Sequence, residues 1–171
     1  MRVPARKFQL TAATFLIMAL HSQWTTRKQI FAQQGYSGRQ VLGYKLPIWQ
    51  RDPAWTTEQN QRFITSLYQG INPGTFMYND NLFKSPEVDQ ILLDGQQRLS
   101  AIEQYWLDVF PVAGEDGEFH YWSELTETEQ RHFLRMQFAC CISNYETDEE
   151  CRVAYNLHNF GGTPHREDQR A

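Results

Sequence analysis

The sequence predicts an α+β protein: a small mixed β-sheet packed by helices. Three observations lead there. Short apolar runs suited to buried strands alternate with segments whose apolar residues recur at helical spacing. Three segments of capping-box form, at Thr56, Thr126 and Thr147, each have Glu or Gln three residues on and mark helix starts between the strands. An acidic turn at residues 114–118 separates two short apolar runs and predicts at least one hairpin.

The elements follow in order. Thr11 can cap a helix running to about Trp24, with Phe15, Met18 and Ala19 on one face and Leu16, Ile17 and Leu20 widening it. Residues 27–40 are polar around Ile30 and Phe31, which gives a second short helix and a loop turning at Gly35 and Gly38. Residues 41–48 read as a strand interrupted by Gly43 and ended by Pro47. From the Thr56 cap, Phe63, Ile64, Leu67 and Tyr68 form the inward stripe of a helix that ends at Gly70, a suitable C′ glycine. Residues 75–78 form a strand, and 79–89 a polar loop carrying Pro86.

Ile91, Leu92 and Leu93 are a short buried strand, broken by Asp94-Gly95. Leu99, Ile102, Trp106 and Val109 then recur at helical spacing. Residues 109–113 and 119–122 are the two arms of the hairpin. A helix with Phe133 and Leu134 starts at the Thr126 cap, and residues 137–143 form a strand with Phe138, Cys140 and Ile142 on one face. The Thr147 cap opens a last helix with Cys151, Ala154, Tyr155 and His158 on one side. It ends at Asn159-Phe160-Gly161-Gly162, either a plain glycine C-cap or a loop that lets a ligand approach the backbone.

Composition bounds the function. The 171 residues carry 41% hydrophobic and 14% aromatic side chains, enough for a folded core. A net charge of −4 argues against a general basic surface coating nucleic acid, though not against a local basic groove. Cys140, Cys141 and Cys151 form no C-x-x-C pair, and the five histidines form no metal-ligand pattern. The thiols read as reduced core or near-core residues. The apolar run at 14–20 is too short to span a bilayer and lacks a cleavage site, so a cytoplasmic protein without a membrane partner is expected.

The stretch that carries chemistry is Asp94-Gly95-Gln96-Gln97-Arg98-Leu99. A strand turning straight into a helix leaves free backbone N–H groups, and with the helix dipole these favour an anion. Arg98 in the first turn can grip phosphate with two parallel hydrogen bonds. Asp94 can hold the Mg2+ of a nucleoside triphosphate or accept a proton. The plainer reading keeps equal standing: Asp94 caps the helix and Arg98 pairs with a surface acid.

That hexapeptide resembles the DGQQR signature of the GmrSD-type restriction endonuclease N-terminal family. Leu46-Pro47-Ile48-Trp49-Gln50-Arg51 with Trp55 resembles its upstream segment, and residues 158–164 resemble its N-x-G-G-x-P loop. The resemblance implies a ParB/sulfiredoxin-like fold, with residues 1–40 as an N-terminal helical segment packed on a nucleotide-binding domain at 41–171. It implies a site in which Asp94 and Arg98 are catalytic and Asp94 holds the metal. Gln50, Arg51, Gly95, Gln96, Gln97, Asn159, Gly161 and Gly162 bind the nucleotide, which is ATP, GTP or CTP with Mg2+. Arg51 has a plain alternative, a salt bridge to Asp52 or Glu58.

The function implied is NTP-dependent phosphoryl transfer, as an NTPase or a kinase, in DNA modification or restriction by a phage or mobile element. A ParB-like nuclease and a non-catalytic nucleotide- or DNA-binding module are the alternatives. Expected partners are DNA, including DNA with modified bases, and a separate nuclease subunit, because no His-Asn-His nuclease domain follows in the sequence. Ser100 stands where the family usually has threonine, which keeps the hydroxyl.

Overall fold

The computed structural model describes residues 10–71 and 74–160. Its main sheet holds four strands: β1 (Leu10–Leu16), β4 (Thr75–Asn79), β5 (Leu92–Asp94) and β8 (Gln137–Ser143). Their order is β1-β8-β4-β5. β8 runs antiparallel to β1 and parallel to β4, and β4 runs antiparallel to β5, so the sheet is mixed. The expected α+β class therefore holds.

Side chains alternate along a strand, and here both faces are covered. Phe76, Tyr78, Leu92, Phe138 and Cys140 face one large core. That core is completed by α1 (Ile17–Gln33), α2 (Thr57–Tyr68), α3 (Gln96–Trp106) and α4 (Glu127–Leu134). Met77, Ile91 and Leu93 point the other way and pack with Val88, Tyr145 and Cys151 of α5 (Asp148–Phe160). Helix α5 thus covers the face opposite the other four.

The helix starts follow the sequence where capping chemistry is local. At Thr56 and Thr126 both halves of the capping box form. At Thr147 only one half does: its Oγ1 accepts from Glu150 N at 3.2 Å, while the Glu150 carboxylate accepts from Glu146 N at 2.8 Å. Gly70, at φ 70°, follows the end of α2 as expected.

Four expectations are corrected. Residues 10–16 are a strand, not the start of a helix capped by Thr11; the N-terminal segment therefore supplies the edge of the main sheet, through pairing with β8 from Leu10↔Ser143 to Leu16↔Gln137. Helix α1 then runs unbroken to Gln33, where two helices had been expected. Residues 41–48 are not one strand. A tight turn at Leu42 (φ 46°) and Gly43 (φ 76°) folds β2 (Gln40–Val41) onto β3 (Tyr44–Lys45), the geometry of a two-residue hairpin. Helix α3 ends at Trp106; Asp108 takes φ 55° and Val109 faces solvent instead of extending the apolar stripe. The expected second hairpin forms from β6 (Val112–Ala113) and β7 (Phe119–His120), with a 3-10 turn at Trp122–Glu124 replacing the end of the return arm.

The polar loop after β4 is held by Asn79, which is fully buried. Its Nδ2 donates to the carbonyls of Val88 and Tyr145, each at 3.0 Å, and its Oδ1 accepts from Tyr145 N and Ser143 Oγ. A buried amide whose hydrogen bonds are made is a rigid joint. It ties the 79–90 loop to the end of β8 and so fixes the wall beside β5.

Candidate functional site

The site is built where β5 ends and α3 begins. Gly95 is the N-cap of α3 in the left-handed conformation, φ 88°. A Cβ at this position would lie 2.5 Å from Phe76 Cβ and 2.9 Å from Phe76 Cα. Glycine is therefore required twice, by the backbone angle and by the close approach of β4. A glycine cap has no side chain to offer the helix. The first intrahelical bond runs from Leu99 N to the Gly95 carbonyl at 2.9 Å, so the N–H groups of Gln96, Gln97 and Arg98 have no acceptor within the helix.

Asp94 is not the cap. Its Oδ2 accepts from Arg98 Nη2 at 2.8 Å, across one helical turn. The same guanidinium nitrogen donates to the Thr75 carbonyl at 2.5 Å, so Arg98 joins the ends of β4 and β5. His158 Nε2 approaches the same Asp94 oxygen at 3.3 Å from α5. The sequence placed His158 on one side of α5 with Cys151, Ala154 and Tyr155 but gave no reason to assign it to the site. Its partner lies 64 residues upstream in sequence, a contact no local pattern encodes.

The 50–55 segment forms the opposite wall. Arg39 donates to the carbonyls of Gln50 and Arg51 and pairs with Asp52 at 3.0 Å. Gln97 Oε1 accepts from the backbone N–H groups of Ala54 and Trp55 at 2.9 and 3.1 Å. Gln50 is 4% exposed and donates through Nε2 to the Leu92 carbonyl. These contacts clamp the segment against β5 and α3. The acids expected to neutralise Arg51 are engaged elsewhere, Asp52 with Arg39 and Glu58 with Arg62. Arg51 is exposed and makes no ion pair with any described residue.

Gln50, Arg51, Asp94, Gly95, Gln96, Gln97 and Arg98 thus line one cleft of about 140 Å³, with Trp55, Leu93 and Tyr155. Tyr155 was not foreseen as a wall; its ring packs on Trp49 at a centroid distance of 4.9 Å and brings α5 over the cleft. Asn159 lies in the last turn of α5. Gly161 and Gly162 lie outside the described residues.

Residues that line the cleft carry unmatched polar atoms. Gln96 Nε2, Gln97 Nε2, Arg98 Nε and Gln50 Oε1 are buried with no hydrogen-bond partner among the described residues. Three of the four are donors. Leaving a buried donor unpaired costs about 1–3 kcal/mol each, a cost that acceptor atoms brought to them would offset. A phosphate or another oxyanion supplies such acceptors.

Among the described residues no group of three or more His, Cys, Asp or Glu is placed to hold a metal ion. Asp94 is the sole carboxylate among the described residues that line the cleft. Its Oδ2 is engaged by Arg98 and His158, while its Oδ1 makes no contact of this kind with the described residues. One free carboxylate oxygen fits magnesium carried in by phosphates, which needs only one or two protein ligands. It does not fit a resident metal centre.

The family model for the N-terminal domain of the GmrSD restriction endonuclease matches residues 28–166. The chain belongs to the GmrSD N-terminal domain family. The match takes in the whole cleft, from Gln50 to Tyr155, and His158 with it. At the level of the family, GmrSD membership carries a role in restriction of phage or modified DNA, and with it interaction with DNA. No curated protein and no solved structure matches the chain. Among the described residues no helix is long and apolar enough to cross a membrane.

Proposed function

We propose that the cleft binds the phosphates of a nucleoside triphosphate and that the protein uses it in phosphoryl transfer serving DNA restriction. The observation that supports this best is the cluster of three buried, unpaired donors at an uncapped helix N-terminus. The backbone N–H groups of Gln96, Gln97 and Arg98, with the side-chain amides of Gln96 and Gln97, face the phosphate oxygens. Arg51, unpaired at the rim, adds the positive charge that −4 overall does not supply. Asp94 Oδ1 would hold magnesium, which when bound neutralises charge on the phosphates. Asp94 also holds Arg98 and His158 in place, so that the guanidinium and the imidazole sit beside the transferred group.

The acceptor is water or a substrate hydroxyl, such as that of a hydroxymethylated base. In this reading DNA with modified bases is the recognised partner, and cleavage falls to a separate nuclease subunit. The nucleotides that fit are ATP, GTP or CTP. The test is calorimetric titration with each triphosphate and Mg2+, followed by phosphate release with and without modified DNA. Binding that weakens in Arg98→Ala and release that fails in Asp94→Asn support the reading. A folded protein that binds no triphosphate refutes it.

A further inference from the structure

A cleft of about 140 Å³ is too small for a whole nucleotide, since small-molecule sites commonly run to roughly 300–1,000 Å³. A second cleft, of about 230 Å³, lies beside it. The two share their walls. The 47–51 segment gives Pro47, Ile48 and Trp49 to the second cleft and Gln50 and Arg51 to the first. Helix α5 gives Arg152 to the second and Tyr155 to the first. The Trp49–Tyr155 ring pair stands at the junction. Neither cleft alone reaches the size of a nucleotide site; jointly they do.

We infer that the second cleft is the nucleobase subsite of the same ligand, and that it selects guanine. The inference rests on the reading of the first cleft as a triphosphate site. The second cleft has the chemistry of a base pocket rather than a phosphate pocket. Its surface is mostly apolar, with Tyr36, Pro47 and Trp49 offering flat faces for stacking. Trp49 is held in position, its Nε1 donating to Asp148 Oδ1 at 3.1 Å, and Asp148 is braced by Arg152 at 2.9 Å. Asp148 and Arg152 thus satisfy each other, which leaves two charged groups to read a base edge.

Those two are Glu87 and Lys45. Glu87 is exposed at the cleft and makes no hydrogen bond or ion pair with any described residue. Lys45 is half-buried; burial holds its ammonium below the ordinary lysine value, against the pull of Asp89 and Glu87. Its Nζ donates to the Pro86 carbonyl at 3.2 Å and has further hydrogens to give. A carboxylate takes two adjacent donors best, and guanine alone presents N1–H and N2–H side by side, with the O6 acceptor next to them for an ammonium. The loop that carries Glu87 is fixed by the Asn79 joint, so the carboxylate stands ready before a ligand arrives.

The experiment compares the full chain's affinity for GTP, ATP, CTP, UTP and inorganic tripolyphosphate, each with Mg2+, by calorimetry. Tripolyphosphate reports the first cleft alone. GTP is expected to bind at least about tenfold tighter than tripolyphosphate, as stacking of one base allows, and tighter than the other three nucleotides. Glu87→Gln, a change at an exposed and unpaired side chain, should reduce the ratio of GTP to tripolyphosphate affinity by about tenfold. The base subsite is overturned if all five ligands bind within about threefold of one another. Recognition by Glu87 is overturned if another base is preferred or if the GTP preference survives Glu87→Gln. If neither tripolyphosphate nor any nucleotide binds, the triphosphate site itself fails, a distinct outcome.

Discussion

His158 Nε2 and Arg98 Nη2 converge on one oxygen of Asp94, at 3.3 and 2.8 Å. The carboxylate therefore organises two basic side chains brought from different elements, one from the start of α3 and one from the far end of α5. A helix cap would do neither. This arrangement makes Asp94 the hinge of the site's charge.

Asp94→Asn should leave the fold intact, because the pair it breaks is only partly buried; the expected cost is about 1 kcal/mol. Turnover in a phosphate-release assay should fall by at least ~10²-fold. His158→Ala should lower turnover too, and the two changes should be non-additive in a double-mutant cycle, with a coupling of about 0.5–3 kcal/mol. Full activity in Asp94→Asn would remove Asp94 from the chemistry.

Gly95→Ala should destabilise the protein by at least about 2 kcal/mol, combining a left-handed backbone with a clash against the β4 backbone at Phe76. Urea denaturation measures this directly. Gly117→Ala, at φ 83° but with open space around it, isolates the backbone contribution and should cost less.

The thiols give a pH prediction. All three cysteines are free. Burial pushes the Cys140 thiol up to about 11 and the Cys151 thiol up to about 12. Each folded value lies above the unfolded one of roughly 8.5. The folded state then binds more protons than the unfolded state above that pH, so stability is full below about 8.5 and declines as pH rises toward 11–12. A disulfide-exchange reagent at pH 8 should modify Cys140 and Cys151 only after denaturant is added. Rapid modification of the native protein at these two residues would contradict their burial.

What the sequence reveals here divides by range. The boxes at Thr56 and Thr126, the C′ glycine at Gly70 and the strand at Gln137–Ser143 depend on neighbours a few residues away, and the folded chain keeps them. Residues 10–20 are apolar apart from Thr11 and Thr14 and contain no Gly or Pro, so their change from strand to helix at Ile17 has no local signal; pairing with β8 decides it. The Leu42-Gly43 turn was hidden because a buried leucine rarely takes positive φ; here Leu42 N donates to Glu103 of α3. Seven of the residues that line the cleft were legible because five are consecutive and Gln50 and Arg51 lie in a recognisable motif. His158 and Tyr155 were not, since only the packing of α5 across the sheet brings them to β5.

Thermal unfolding tests most directly whether the cleft at the start of α3 takes a triphosphate. With Mg2+ and a triphosphate at a hundred times its dissociation constant, stability should rise by ~2.7 kcal/mol and the melting temperature with it. Arg98→Ala, compared at the same ligand concentration, should lose most of that rise. An unchanged melting temperature of the parent protein with ATP, GTP, CTP and UTP at millimolar concentration would mean that the cleft takes no triphosphate.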